Sequence, residues 1–299
     1  GGDLIGGART RRARLLAKRV MGGVLLAGVV AYARVAYGPA GGADHPGSKR
    51  NVLLAFSWVE FWTRRYGVWM DRYYGRTMEA AGELGLAPEY VLSLHGRAYV
   101  PAKELLKRLR DLRQPAWGQA KFLILEAHGT PWRVIREYCR LGDLFLYWRM
   151  TRSSSFRSAF TWRGVDTTGA FADLMWESVL VSWPRLVCQQ SETAALVKRV
   201  NPAVALVYSY EFVFGRAFLR GIRQAGAVRI VGMQHGAITP MNFLHTGTTD
   251  DLARSRSGGP PLPSPHVYSI DGTGARDILV QRGVTPDRIR VNGAARCDA

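Results

Sequence analysis

Short apolar runs alternate with amphipathic stretches along most of this chain, and that alternation restricts the fold more than any other feature. "NVLLAF", "EYVLSL", "KFLILEAHG", "PAVALVYSY", "VRIVGMQ", "HVYSI" and "IRV" are short and continuously apolar, as strands buried on both faces are. Between them, "TMEAAGELG", "PAKELLKRLRDL", "FGRAFLRGIRQAG" and "GARDILVQRG" repeat apolar positions at helical spacing, with a proline in the first turn or a glycine near the end. The aromatic stretch "WRVIREYCRLGDLFLYW" reads as one further helix and "FADLMWESVLVSW" as helical. Strand and helix in turn imply right-handed βαβ units. The expected fold is α/β, a Rossmann-like, mainly parallel sheet flanked by helices.

A basic and then apolar segment precedes this pattern. "RTRRARLLAKR" is followed by "VMGGVLLAGVVAYARVAY", apolar from Val20 until Arg34 interrupts it. The uninterrupted run falls short of the roughly 20 residues that a bilayer span needs. Three readings stay open: a linker helix packed on another domain, an interfacial membrane helix and a true span. The breaker-rich "GPAGGADHPGS" then marks a flexible boundary, which places an N-terminal segment at 1–48 and the sheet-bearing domain at 49–290.

Lys and Arg number 41 against 23 Asp and Glu, a formal charge of +18. That excess favours anionic partners, although a GC-rich genome enriches arginine without any such partner. No RNP signature, zinc-finger spacing or helix-turn-helix pattern accompanies it, so nucleic acid is not an expected partner. Cys139, Cys188 and Cys297 show neither a C-x-x-C nor zinc spacing, which argues for a reducing cytosol without disulfides or a structural metal. No G-x-G-x-x-G fingerprint indicates a dinucleotide cofactor, and none is expected.

Candidate chemistry gathers at strand ends. "ALVYSYEFVFGR" sets Glu211 just past one strand, and "IVGMQHGAITP" sets Gln234, His235 and Gly236 past another. Both are carboxyl ends, where open parallel sheets form their crevice. A histidine with a nearby carboxylate is a workable proton-transfer pair. Equally, His235 fits a backbone-bonded core histidine, and Glu211 fits an ion pair with Arg216. The connection after the first strand, "SWVEFWTRRYGVWMDRYYG", is long, and long loops are often functional. Its rings, Trp58 among them, suit stacking on sugar or base, and its guanidiniums, Arg72 among them, suit phosphate or carboxylate. The same rings also suit simple cover for the sheet end.

"WMDRYYG" with Asp71 and Arg72, "VGMQHGAITP", and the run from "PLPSPHVYSI" to "RVNGAARCDA" together resemble the amino-terminal half of GT-B fold glycosyltransferases of bacterial surface polysaccharide synthesis, a group related in architecture to UDP-N-acetylglucosamine 2-epimerase. The resemblance implies an acceptor-side Rossmann-like domain, with residues 291–299 leading toward a second, donor-binding domain beyond a segment that opens at Gly1 and ends at Ala299. It implies a nucleotide-sugar donor as substrate, a glycan or lipid-linked acceptor, no metal, and a cytoplasmic location with peripheral contact at an anionic inner membrane face. His235 and Glu211 are then the candidate catalytic residues. Gln234, Gly236, Trp58, Asp71, Arg72, Arg216 and Arg296 are candidate substrate contacts. A 2-epimerase-like enzyme and a non-catalytic binding module remain as alternatives.

Overall fold

The computed structural model describes residues 2–38, 50–65, 68–94, 102–112, 122–234, 236–239 and 262–294. The strands, in chain order, are β1 (Arg50–Trp58), β2 (Trp62–Arg65), β3 (Val68–Asp71), β4 (Ala87–Ser93), β5 (Phe122–Ile124), β6 (Thr161–Trp162), β7 (Val165–Asp166), β8 (Pro202–Tyr208), β9 (Arg229–Met233), β10 (Val267–Ile270) and β11 (Ile289–Val291). The helices are α1 (Gly2–Tyr37), α2 (Thr77–Glu83), α3 (Ala102–Asp111), α4 (Pro131–Tyr138), α5 (Gly142–Thr151), α6 (Ser154–Ala159), α7 (Thr168–Glu177), α8 (Trp183–Val200), α9 (Val213–Ala225) and α10 (Thr273–Gln281). They form two compact units, Ala33–His128 with Gln189–Ala299, and Gly1–Tyr32 with Gly129–Cys188.

The first of these is α/β and Rossmann-like. Its seven-stranded sheet runs β11-β10-β9-β8-β1-β4-β5, and every neighbouring pair is parallel. The chain builds outward from β1 to β4 and β5, then returns to the other side of β1 and continues through β8, β9, β10 and β11. That reversal is the topological switch point, where open α/β sheets leave a crevice at the carboxyl ends of their strands. Burial explains the composition of β1, whose Val52 to Trp58 are all buried, since a central parallel strand is covered on both faces.

Two elements differ from the sequence expectation. Only Phe122–Ile124 of "KFLILEAHG" is strand, because Leu125–His128 turns into a 3₁₀ helix that lets Glu126 accept from Ser93 Oγ and the Leu94 amide. The long connection after β1 contains the antiparallel hairpin β2–β3. In addition, α8 covers "RLVCQQSETAALVKRV", to which the sequence patterns assign no element.

The second unit is helical. The aromatic stretch forms two helices instead of one, α4 ending at Tyr138 and α5 starting at Gly142. On α1, Arg19, Gly23, Leu26, Ala27 and Val30 are buried, the i, i+4, i+7, i+8, i+11 spacing of one helix face. Gly23 is needed for close approach, since a Cβ there would lie 2.6 Å from the Tyr138 Cβ.

Arg19, only 2% exposed, explains how an apolar helix tolerates a buried charge. Its guanidinium donates to the carbonyls of Tyr138, Glu137 and Arg140, at the C-terminal end of α4, where helical carbonyls lack donors and the dipole is negative. It donates also to the Val179 carbonyl at 3.3 Å. That carbonyl lies in the π-helical segment Ser178–Ser182, where the Trp183 amide bonds Ser178 instead. The next candidate donor, Pro184, has no N–H. Arg19→Met should therefore take a donor from four carbonyls, of which that of Glu137 keeps the Cys139 and Arg140 amides, and cost about 3 kcal/mol or more, with Arg19→Lys intermediate, read as the shift in the chemical unfolding midpoint.

Candidate functional site at the sheet switch point

The carboxyl ends of β1 and β8 meet at the switch point, and the β2–β3 hairpin delivers Asp71 to them. Asp71 is 2% exposed. Its carboxylate accepts from the Tyr73 and Tyr74 amides at 2.8 and 3.1 Å and from the Ser57 hydroxyl of β1. Because the Ser57 proton goes to Asp71, its oxygen acts as acceptor for the Tyr208 hydroxyl of β8 at 2.8 Å and for Trp62 Nε1 at 3.2 Å. Burial pushes the Tyr208 phenol well above its ordinary range, with Asp71 adding to the effect, so Tyr208 remains a donor. Beside this cluster the Tyr74 hydroxyl is in reach of the carbonyls of Phe56 and Leu206, at 2.7 and 3.0 Å, which ties β1 to β8.

Burial lifts the Asp71 carboxyl to about 6, against the downward pull of its hydrogen bonds from Ser57 and the two amides. A carboxyl that titrates near neutrality can take or give a proton. Trp58 at the end of β1 is not a free stacking platform. It is buried, with its ring edge-on to Phe61 and Tyr208 and tilted against Phe218. Its Nε1, like the Oγ of buried Ser209, has no hydrogen-bond partner among the described residues. Ser209 has φ +56°, a left-handed conformation rare for a non-glycine residue. That turn carries its carbonyl against the first turn of α9, where a Cβ on Gly215 would lie 2.0 Å from the Ser209 oxygen.

Glu211 follows at the same edge and is buried. Tyr210, its neighbour in the chain, meets the Tyr268 ring edge-on at 5.3 Å. Burial raises the Tyr210 phenol, and the charges of Glu211 and Asp271 raise it further. Burial raises the Tyr268 phenol, and Arg216, half-buried in the first turn of α9, is among the charges that oppose the rise.

Gln234 has its amide engaged on the backbone. Nε2 donates to the Gly236 carbonyl at 2.8 Å and Oε1 accepts from the Asp271 amide at 2.9 Å, joining the carboxyl ends of β9 and β10. Gly236 thus takes part through its carbonyl. Arg72 is exposed, with its guanidinium 5.4 Å from the Tyr73 ring centre. His235 and Arg296 lie outside the described residues.

The structure therefore brings Trp58 and Asp71 together at β1 and β8, and Glu211, Gln234 and Gly236 along the same edge. Ser57, Tyr208 and Ser209 were not singled out from the sequence. The available signal is the single hydroxyl that closes the apolar run of β1 and the "YSY" that closes β8. Among the described residues no group of three His, Cys, Asp or Glu could hold a metal ion. No protein-family model matches the chain, and comparison with curated proteins finds no match.

Two outcomes follow. The native state holds a proton on Asp71 up to about pH 6, whereas the unfolded chain releases it near 4. The contribution of Asp71 is thus most favourable below about pH 4 and is lost as pH rises through about 6, by about 3 kcal/mol in total. Asp71→Asn should gain on the wild type by that amount between pH 4 and pH 7, in unfolding curves measured at both. Gly215→Ala should cost at least about 2 kcal/mol through the collision with Ser209, read by thermal unfolding.

Proposed function

We propose that the sheet unit is the acceptor-side domain of a glycosyltransferase, which moves a sugar from a nucleotide-sugar donor to a surface-polysaccharide or lipid-linked glycan acceptor. The observation that carries this reading is the carboxyl edge of the sheet. It places a carboxyl titrating near neutrality, a second buried carboxylate in Glu211, and the buried polar atoms Trp58 Nε1 and Ser209 Oγ, without partners among the described residues, at the switch point of a Rossmann-like strand order. In such sheets ligands bind at this position.

In the proposed reaction the acceptor hydroxyl gives its proton to His235 or Glu211. The acceptor oxygen bonds to the anomeric carbon as that carbon's bond to the diphosphate oxygen breaks, and the nucleoside diphosphate leaves with the electron pair. Asp71 is then a positioning residue, holding Ser57 and Tyr208 beneath the acceptor. The positive chain, +18, suits a nucleoside diphosphate that gains a further negative charge as it leaves.

The test uses the full-length protein with a panel of nucleotide sugars and a membrane lipid extract, following nucleotide release and transfer of labelled sugar. The expected result is transfer that falls at least about 100-fold in His235→Ala or Glu211→Gln, the scale of one general base. Interconversion of the donor sugar without an acceptor would replace the reading with a 2-epimerase-like one. Glycan binding unchanged by either substitution, with no turnover, would leave a binding module.

A further inference from the structure

The exposed aromatic residues are unevenly placed. Among the residues whose side chains are described, every exposed tryptophan and phenylalanine, namely Trp132, Phe145, Trp148, Trp162, Phe171 and Trp183, belongs to the helical unit, whereas the large apolar residues exposed on the sheet unit are aliphatic. Isolated exposed apolar residues need no explanation, but a concentration of large ones marks an interaction surface.

Three elements make this concentration specific. On α1 the face away from the buried stripe is also apolar, with Val20, Met21, Val24 and Leu25 all exposed. On α5, Leu141, Phe145, Trp148 and Arg152 follow one another at i, i+4, i+7, i+11. The Phe145 and Trp148 rings stack at 5.9 Å, and the Arg152 guanidinium lies 4.4 Å from the Trp148 ring centre. The β6–β7 hairpin turns on Arg163 and Gly164, at φ +49° and +81°, and it leaves Trp162 67% exposed, with Arg163 4.5 Å from its ring centre. Neither strand of that two-residue ladder buries a side chain, so the hairpin projects its aromatic ring instead of feeding a core.

We propose that this unit docks on an anionic bilayer, with the outer face of α1, the α5 rings and the tip of the β6–β7 hairpin seated in the headgroup and acyl boundary and the arginines on lipid phosphates. Charge selects this occupant. Arg133, Arg149 and Arg157 are exposed among the apolar residues of the same unit, as are Arg136 and Arg140, which pair with Glu137 and Asp143, and arginine beside tryptophan is the composition of an interfacial surface, where the ring sits at headgroup depth and the cation meets phosphate. The geometry of α1 also decides between lying on a membrane and crossing one. By length and composition Ala13–Tyr37 could cross. Arg19, however, fastens the inner face of this helix to α4 and the π-helical segment, so only its outer face is available to lipid. This inference is independent of the transferase reading, because its test contains no substrate.

The full chain is floated with phosphatidylcholine vesicles, with and without phosphatidylglycerol, over a range of salt concentrations. The proposal expects binding to the anionic vesicles that weakens with salt, and release by alkaline carbonate. Trp148→Ser with Trp162→Ser should lower vesicle affinity at least about tenfold, and so should Arg149→Gln with Arg152→Gln, each losing a share set by buried ring area or by lipid charge. All four side chains are exposed, and an unchanged unfolding midpoint in both double variants would confirm that folding is intact. Absence of vesicle binding, or binding unaffected by both double variants, overturns the proposal. Resistance to carbonate overturns it in favour of a span. A change of oligomeric state in the variants without vesicles, by light scattering, overturns it in favour of a second copy of the chain.

Discussion

A strand pair inside a parallel sheet has no free edge and is dry on both faces, so each polar side chain it carries must find its partners within the protein. The carboxyl ends of β1 and β8 show how this chain meets that demand. Ser57 and Tyr208 would be costly there without acceptors and donors. The β2–β3 hairpin supplies Asp71 and Trp62, which with the two hydroxyls form one connected set of hydrogen bonds. Tyr74 locks the same strand pair through its carbonyls. The long connection after β1 thus completes the sheet at its switch point and, in the same act, builds the candidate site.

The two units hold buried charges by the same logic with opposite sign. Arg19 sits where a helix end and a proline-interrupted turn present carbonyls that can take a further donor. Asp71 sits where a turn presents two amides and a strand end presents a hydroxyl. The difference lies in what each charge retains. Guanidinium stays protonated at any accessible pH, so Arg19 is a fixed structural element. The carboxyl of Asp71, lifted to about 6, keeps its proton labile in the range where enzymes use one.

Aromatic and arginine residues are interleaved in two parts of the sequence, after β1 and through residues 132–163, with similar texture and opposite fates. In the first, Trp58, Trp62 and Tyr74 are buried and pack on Tyr208, Phe218 and Tyr90. In the second, Trp132, Trp148 and Trp162 stay on the surface. Composition cannot separate these cases, because a ring is equally suited to covering a sheet end and to meeting a lipid boundary. Which one occurs depends on whether another element arrives to cover it.

The fold class and the order of the principal elements were legible in the sequence because they rest on local periodicity. A run such as "NVLLAF" suits a strand covered on both faces, as parallel-sheet strands are, and "FGRAFLRGIRQAG" brings Phe214, Ala217, Phe218 and Ile222 onto one face only as a helix. The edge carrying the candidate residues was legible for the same reason, since polar residues that close an apolar strand must emerge at its end. What the tertiary structure alone decided is which of those residues meet: that Asp71 returns fourteen positions along the chain to Ser57, that Gln234 is occupied in joining two strand ends, and that Arg19, one of a run of basic residues, points inward. Those outcomes depend on contacts between residues distant in the chain, and no periodicity within one element encodes the partner that another element brings.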